Sequence, residues 1–338
     1  MNKRSHRTLF VLFQIFVSAA LLFFLLRQVD VERLVAIWGS VRQPFLWLAL
    51  ALQLGGLLIS ALKWWLLLRA SGQPMPYLWT VRIYLIGQFF SNFLPTQIGG
   101  DAVRVFYLTR RIGRPALALA SVFVERITGF LALTLIGAVA LSLSADRLNS
   151  APQLLLVVIG CLLAAAGGLV VALAAPWGVR WLTRIKLPDV RAWQRRLRSF
   201  AESLAMYYAY PRTLALVIAL ALGYQLSWIA VNYAVTSALS LAAPLAFIAF
   251  MVPISDIIGL VPIFFNSLGA REGTFVLLLG LLGVPAESAL AAAFLIFAVR
   301  LVVSLLGGVL YMFGGVEHLQ RSQSGDLAAA PSQSVIDE

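Results

Sequence analysis

The sequence predicts an all-α polytopic membrane protein, with about six full spans and two opposed re-entrant hairpins arranged as an inverted repeat. Of its 338 residues, 61% are hydrophobic and only 12% are charged, and the mean hydropathy is +0.90. A soluble domain of this length cannot bury so much apolar surface. In addition, long apolar runs alternate with basic loops, and two of the apolar regions are broken at matching positions by Pro, Gly and charged residues.

Six apolar runs reach the length of about 20 residues that a spanning helix needs. They are residues 8–26, 45–68, 116–143, 153–175, 213–239 and 286–314. The first run follows a basic N-terminus, as a secretory signal would, but it is long and no small-residue cleavage site follows it. We therefore expect it to be an uncleaved first span.

Two further apolar regions, 77–114 and 244–284, are each interrupted near the middle. In the first, Pro95 precedes Arg104 by nine residues, and in the second Pro262 precedes Arg271 by the same interval. Glycines and an acidic residue accompany each arginine, and the two arginines are 167 residues apart, close to half of the 338-residue chain. Paired, Gly/Pro-broken hydrophobic segments in two halves indicate the substrate site of a transporter-like fold.

The loop charges predict the orientation of these segments. Lys63, Arg69 and Arg82 precede the first break and a cluster of arginines follows it, so both ends of the first hairpin are expected in the cytoplasm, together with the basic segment 176–212. The loops 27–44, 144–152 and 240–245 carry little net charge and are expected outside. The first hairpin then enters from the inside and the second from the outside.

This pattern predicts one integral membrane domain over residues 1–315, with repeat 1 at about 8–143 and repeat 2 at about 153–314. Both termini are expected in the cytoplasm of a bacterial-type inner membrane, and the tail 316–338 is expected to be disordered. The Trp-containing basic loop 176–212 either lies on anionic headgroups or is a solvated loop that follows the positive-inside rule.

Eight charges fall inside or near the apolar regions. The acidic ones are Asp101, Glu125, Asp256 and Glu272, and the basic ones are Arg104, Arg126, Arg271 and Arg300. Because a charge at the bilayer centre costs at least about 2.5–3.5 kcal/mol, they are expected to point inward and to pair. Glu125 and Arg126 are adjacent on a helix and do not face each other, so each needs its own partner.

Arginine binds phosphate bidentately and stays charged when buried, and half-helices starting near Gly100 and Gly269 would aim free N–H groups at the same place. We therefore predict an anion site for a lipid phosphate, with structural ion pairs or proton coupling as alternative roles for the charges. The predicted substrate-binding residues are Arg104, Arg126, Arg271, Arg300, Asp101, Glu125, Glu272, Asn92, Gly99, Gly100 and Gly269.

Other kinds of site are not expected. The one cysteine, Cys161, lies in an apolar run and cannot form an internal disulfide, while His6 and His318 lie outside the apolar runs. No metal site and no cofactor are therefore predicted. The net charge of +12 comes from the loops, so nucleic acid is not an expected partner.

Three motifs together resemble the lysylphosphatidylglycerol synthase transmembrane-region family, also called flippase-like domain proteins. They are the N-x-x-P-x-x-x-G-G-D-x-x-R stretch from Asn92 to Arg104, the S-V-x-x-E-R element from Ser121 to Arg126, and the P-x6-G-x-R-E-G element from Pro262 to Gly273. The resemblance covers roughly residues 10–315. In the multiple peptide resistance factors of that family, such a membrane domain is credited with moving a charged lipid and is joined to a soluble aminoacyl transferase. About 24 residues follow the last predicted span here, so lipid aminoacylation by this chain is not expected.

The resemblance and the charges together suggest a flippase-type transporter of a phosphate-bearing phospholipid or glycolipid, with anionic-headgroup lipids as its partners. An enzyme acting on polyprenyl phosphates is an alternative, although Thr96 and Ser267, the nearest hydroxyls, have no histidine beside them. A non-catalytic partner of a lipid-modifying enzyme or a glycosyltransferase is the third reading. The sequence does not fix the oligomeric state.

Overall fold

The computed structural model describes residues 3–27, 30–94, 99–148, 191–261 and 263–328, together with single residues between 159 and 178. Regular structure in this part of the chain is entirely helical. The helices are α1 (Lys3–Arg27), α2 (Val31–Gly39), α3 (Gln43–Ala70), α4 (Tyr77–Phe93), α5 (Gly99–Ile112), α6 (Pro115–Leu148), α7 (Arg191–Tyr207), α8 (Pro211–Ala238), α9 (Leu245–Gly259), α10 (Ala270–Gly280) and α11 (Ala286–Ala328).

Four of the described helices are long and apolar enough to cross a membrane. They are α3, the Pro115–Ser142 part of α6, α8, and the Ala286–Phe313 part of α11, each with 28 residues. At 1.5 Å per residue each is about 42 Å long, more than the bilayer's hydrocarbon core of about 30 Å. The chain is therefore a polytopic membrane protein, and four of the six predicted spans are confirmed.

The other two predicted spans have different outcomes. The run 8–26 lies within α1, whose apolar part, Leu12–Arg27, is shorter than the four long spans. The run 153–175 lies outside the described residues except for single positions, and so does Cys161. The predicted basic loop 176–212 contains α7, and α11 extends to Ala328, into the tail that the sequence predicts to be disordered.

The two broken regions each form a pair of packed short helices. In the first region α4 packs against α5, and in the second α9 packs against α10. These helices have 17, 14, 15 and 11 residues in chain order, below the about 20 residues of a typical span. Gly100 allows α5 to approach α4 closely, since a Cβ there would overlap the Gly87 carbonyl.

The chain reverses between α9 and α10 in a turn that has positive φ angles and two side-chain hydrogen bonds. Asn266 and Ser267 have positive φ angles, and the Ser267 hydroxyl donates to the Gly259 carbonyl at 2.6 Å. Gly269 has φ +84, a conformation that favours glycine, and its N–H donates to the Glu272 carboxylate at 2.7 Å. These contacts explain why α10 begins at Ala270 and not earlier.

The packing of the helices repeats between the two halves. Helices α3 to α6 have counterparts α8 to α11, which begin about 170 residues later. α4 packs against α11 and, equivalently, α9 packs against α6; α3 packs against α11 and α8 against α6. The most extensive pairing joins the counterparts α3 and α8. The sequence interval between the two breaks therefore corresponds to a repeated set of contacts in the structure.

Small residues allow the closest of these packings. At Gly307 on α11, a Cβ would overlap the Leu85 carbonyl of α4, whereas a Cβ at Gly55 on α3 would meet no atom within 4 Å. Membrane helices use such small residues to bring their backbones close together.

We expect Gly307→Ala to destabilise the protein by about 1–3 kcal/mol, because α4 and α11 must move apart to admit the methyl group. Gly55→Ala is the matched control and should keep or raise stability, since alanine favours a helix. Thermal unfolding of the purified variants in detergent measures the difference. Equal midpoints for the two variants would contradict the close packing of α4 on α11.

Candidate functional site

A polar cavity of about 160 Å³ lies between the two helical breaks. Its walls come from the long helices α3, α6, α8 and α11, from α4, α9 and α10, and from Asn266 in the second break. The sequence predicts that the two broken segments meet, and in the structure the Asn266 amide donates to the Asn92 carbonyl of the first break at 3.2 Å. The Asn92 amide in turn donates to Ser304 on α11 at 2.6 Å.

Glu125 on α6 is the centre of the charges in the first half. Its carboxylate accepts hydrogen bonds from Arg104 at 2.8 Å and from Tyr84 at 3.2 Å, and it forms an ion pair with Lys63 at 3.2 Å. Glu125 and Lys63 are buried, with side chains 5% and 2% exposed. One carboxylate thereby joins α3, α4, α5 and α6.

Arg104 on α5 lies beside the cavity and does not line it. Its guanidinium stacks on two rings, 4.3 Å from the Trp64 centroid and 4.2 Å from the Tyr84 centroid. The same nitrogen that bonds Glu125 also bonds Asp101 at 3.2 Å. Since it contacts two carboxylates and two aromatic faces, Arg104 is held in one position.

Arg126 pairs with Asp101, at 2.6 Å, and not with its neighbour Glu125. The prediction that adjacent Glu125 and Arg126 take separate partners is therefore confirmed. The Arg126 side chain lines the cavity and is 39% exposed. It is the most accessible of the cations in the first half of the site.

The second half of the site is built around Asp256 on α9. Its carboxylate accepts from Arg271 at 3.2 Å and from the Trp228 indole at 3.0 Å. Arg271 thus pairs with Asp256, while Glu272 beside it bonds the Gly269 N–H at the start of α10.

Arg300 on α11 lines the cavity without a carboxylate partner among the described residues. Its Nε is buried and has no hydrogen-bond acceptor there, and its nearest aromatic contact is the Phe297 ring, 5.7 Å from the guanidinium. A buried cationic N–H without an acceptor is costly. Arg300 is therefore the residue that a bound anion would stabilise most.

Five of the predicted site residues line the cavity, namely Asn92, Glu125, Arg126, Arg271 and Arg300. Asp101 and Arg104 lie directly behind them. Gly100 and Gly269 shape the backbone of the breaks, as does Gly99, where a Cβ would press on Leu94. Glu272 supports the second break from outside the cavity.

The prediction that Lys63 is one of the cytoplasmic flanking charges is wrong. It is the twenty-first residue of α3 and is fully enclosed by neighbouring helices. Its place between Leu62 and Trp64, inside a continuous apolar run, was the available signal. Its burial also means that the central cations are not all arginines.

The neutral polar lining was also missed. It includes Gln53, Ser60, Tyr84, Gln88, Tyr224, Gln225 and Trp228. Part of it follows helical spacing, since Tyr84, Gln88 and Asn92 recur every four residues and share one face of α4. That polar stripe within an apolar helix would have identified the cavity wall.

The lining favours anions. Four cations, Lys63, Arg126, Arg271 and Arg300, face two carboxylates, Glu125 and Asp256. In the low dielectric of a membrane interior, this excess of positive charge attracts an anion more strongly than it would in water. Among the described residues no group of three His, Cys, Asp or Glu side chains is arranged to hold a metal ion.

Comparison with known proteins identifies a matching family. The family model described as the lysylphosphatidylglycerol synthase TM region matches residues 11–308, which is nearly the whole chain. No curated protein shows significant sequence similarity. The matched range contains every residue that lines the cavity.

We expect Glu125→Gln to lower stability by about 3–5 kcal/mol, because Lys63 and Arg104 would lose their shared carboxylate while remaining buried. Adding Lys63→Met should recover part of this loss, since the double variant removes the cation whose ion pair is with Glu125 alone, while Arg104 keeps Asp101. Thermal unfolding in detergent measures both effects.

The matched control is Glu202→Gln, which breaks the exposed Arg198–Glu202 pair on α7 and should change the midpoint little. If Glu125→Gln and Glu202→Gln unfold at the same temperature, Glu125 does not hold the first half of the site together.

Proposed function

The chain belongs to the lysylphosphatidylglycerol synthase TM-region family, and on this basis we propose that it is a flippase-type transporter. Its substrate is a phosphate-bearing phospholipid or glycolipid, which it moves across a bacterial-type cytoplasmic membrane. The observation that carries the proposal is the cationic cavity between the two helical breaks, in whose wall Arg300 has no carboxylate partner among the described residues.

The chemistry of the cavity supports a lipid phosphate as the occupant. Arg126 and Arg300 present guanidinium groups to the cavity, and guanidinium binds phosphate oxygens with charge-assisted hydrogen bonds. A cavity of about 160 Å³ accommodates a polar headgroup, while the acyl chains would stay in the bilayer.

The repeated packing supports an inverted repeat, in which one half is the structural counterpart of the other turned over in the membrane. In this arrangement α4–α5 is a re-entrant hairpin from the cytoplasm and α9–α10 is one from the outside. Their breaks meet at the cavity, as the Asn266–Asn92 hydrogen bond indicates. Movement of one half against the other would expose the headgroup to each leaflet in turn.

The two alternatives from the sequence receive less support. An enzyme acting on polyprenyl phosphates needs an activated nucleophile, and the Ser267 hydroxyl, one of two candidates, donates to a backbone carbonyl. Thr96, the other candidate, lies outside the described residues. A non-catalytic role beside a lipid-modifying enzyme rests on the sequence alone.

We expect Arg300→Gln to abolish or strongly slow lipid flipping, because the unpaired cation that attracts the phosphate is lost while no ion pair is broken. The measurement is dithionite quenching of headgroup-labelled phosphatidylglycerol in proteoliposomes, with a labelled polyprenyl phosphate as a second substrate. Loss of about tenfold or more in rate is expected when a charge-assisted contact of about 1.5–3 kcal/mol is removed.

Arg110→Gln is the control for this experiment. Arg110 is exposed on α5 and does not line the cavity, so its variant should flip lipid at the unaltered rate. Equal flipping rates for Arg300→Gln and the unaltered protein would show that Arg300 and its cavity do not bind the lipid phosphate during transport. Absence of flipping by folded, unaltered protein for every lipid would favour the partner role.

The proposed topology predicts opposite accessibility for two engineered cysteines. In a Cys161→Ala background, Ser240→Cys between α8 and α9 should react with a membrane-impermeant maleimide on intact spheroplasts. Arg114→Cys between α5 and α6 should react only after permeabilisation. Both positions are exposed in the structure. Labelling of both from the same side would contradict the opposed hairpins.

A further inference from the structure

We propose that the cavity selects a headgroup that is a phosphodiester with neutral hydroxyl groups, of the glycerol or sugar type, and disfavours headgroups that carry an ammonium. This inference rests on the proposed transport function and specifies its substrate class. It differs from the aminoacylated lipid that the family's description suggests. Three features of the cavity support it.

The first feature is that each carboxylate at the site is already engaged. Glu125 is bonded to Arg104 and Lys63, and Asp256 is bonded to Arg271. Behind the lining, Asp101 bonds Arg104 and Arg126. An incoming ammonium would therefore find no free carboxylate and would face an excess of cations, which repel it.

The second feature concerns the aromatic rings, the other common partners of ammonium groups. The two tyrosines of the lining already have cations over their rings. Arg104 lies 4.2 Å from the Tyr84 centroid, and Lys63 lies 5.7 Å from that of Tyr224. The ring faces that these two cations cover are not available to the amine of an aminoacyl or ethanolamine headgroup, whereas the Trp228 ring of the lining has no cation over it among the described residues.

The third feature is a set of neutral polar groups without internal partners. Gln53, Gln88 and Gln225 line the cavity, and their side chains make no hydrogen bond within the described part of the chain. Ser60, also in the lining, is 1% exposed, and its buried hydroxyl has no partner there. Amides both donate and accept, which suits the hydroxyls of a polyol or sugar.

Because an unsatisfied buried hydroxyl is costly, the Ser60 hydroxyl and the three amides of the same cavity suit a ligand with several hydroxyl groups. Arg300 would bind the phosphodiester, and the three glutamines with Ser60 would bind the hydroxyls. The cation excess and the amide lining thus specify two parts of one headgroup.

The test compares four short-chain lipids by isothermal titration calorimetry with the purified full-length protein in detergent. Dioctanoyl phosphatidylglycerol has the anionic phosphate and the hydroxyls, and phosphatidylethanol has the same charge without hydroxyls. Phosphatidylethanolamine and lysyl-phosphatidylglycerol add one and two ammonium groups, respectively. We expect affinity to fall in that order, with lysyl-phosphatidylglycerol at least about tenfold weaker than phosphatidylglycerol because of like-charge repulsion.

Two variants assign the effect to the cavity. Arg300→Gln should weaken the binding of both anionic lipids and reduce the difference between their affinity and that of phosphatidylethanolamine. Gln225→Leu should weaken phosphatidylglycerol by several-fold, as expected for a lost hydrogen bond, and leave phosphatidylethanol unchanged. Ser60→Ala removes another group proposed to bind the lipid hydroxyls and changes the lining least. It therefore tests the preference for phosphatidylglycerol over phosphatidylethanol if Gln225→Leu does not fold.

The outcomes separate this inference from the proposed function. Equal or tighter binding of lysyl-phosphatidylglycerol, or equal binding of phosphatidylglycerol and phosphatidylethanol, overturns the inference even if lipids are flipped. Binding of soluble glycerophosphoglycerol with no flipping of any lipid overturns the transport function and assigns the cavity to a soluble phosphodiester. The expected order, reproduced in flipping rates, supports both.

Discussion

The structure around the cavity depends on the neutralisation of buried positive charge by Glu125. A lysine from α3 and an arginine from α5 converge on this one carboxylate from α6, and a tyrosine from α4 donates to it. Because charge is costly in a membrane interior, α3, α5 and α6 cannot separate without leaving at least one ion unpaired, and the departure of α4 would cost Glu125 a hydrogen bond. The first half is thus fixed by electrostatics where a soluble protein would rely on hydrophobic burial, which gives helices little driving force to associate in lipid.

The two halves share their packing but not their charges. Arg104 and Arg271 occupy corresponding places after the two breaks, and each pairs with a carboxylate. On the last long helix of each half the correspondence fails, since α6 supplies Glu125 and Arg126 whereas α11 supplies Arg300 alone. Each half nevertheless contributes one net positive charge to the lining, from Lys63 and Arg126 against Glu125 in the first half and from Arg271 and Arg300 against Asp256 in the second. The halves differ in their pairing, because each first-half cation has a carboxylate partner, whereas Arg300 has none among the described residues.

Much of this could be predicted from the sequence, for physical reasons that differ between elements. The long spans follow from uninterrupted apolar runs, and the broken segments from Pro and Gly within such runs, so α3, α6, α8 and α11 and the two breaks were all predictable. The need of Glu125 for a remote partner follows from helix geometry alone. The identity of that partner does not, because a single lysine near the end of an apolar helix is equally typical of a cytoplasmic flank. The predicted location of Lys63 was therefore wrong, and isolated neutral side chains such as Gln53 did not indicate a cavity.

The distribution of the ion pairs has a consequence for how the protein can move. Each ion pair at the cavity joins residues of the same half, within α3–α6 or within α8–α11. In the part of the chain that the structure describes, the two breaks are connected by a neutral amide contact from Asn266 to Asn92. No ion pair of the described residues crosses the boundary between the halves, although Lys63 lies over the Tyr224 ring and α4 packs closely on α11 there. The proposed movement of one half against the other would therefore change packing, a cation–π contact and hydrogen bonds, but it would separate no pair of opposite charges in a low dielectric.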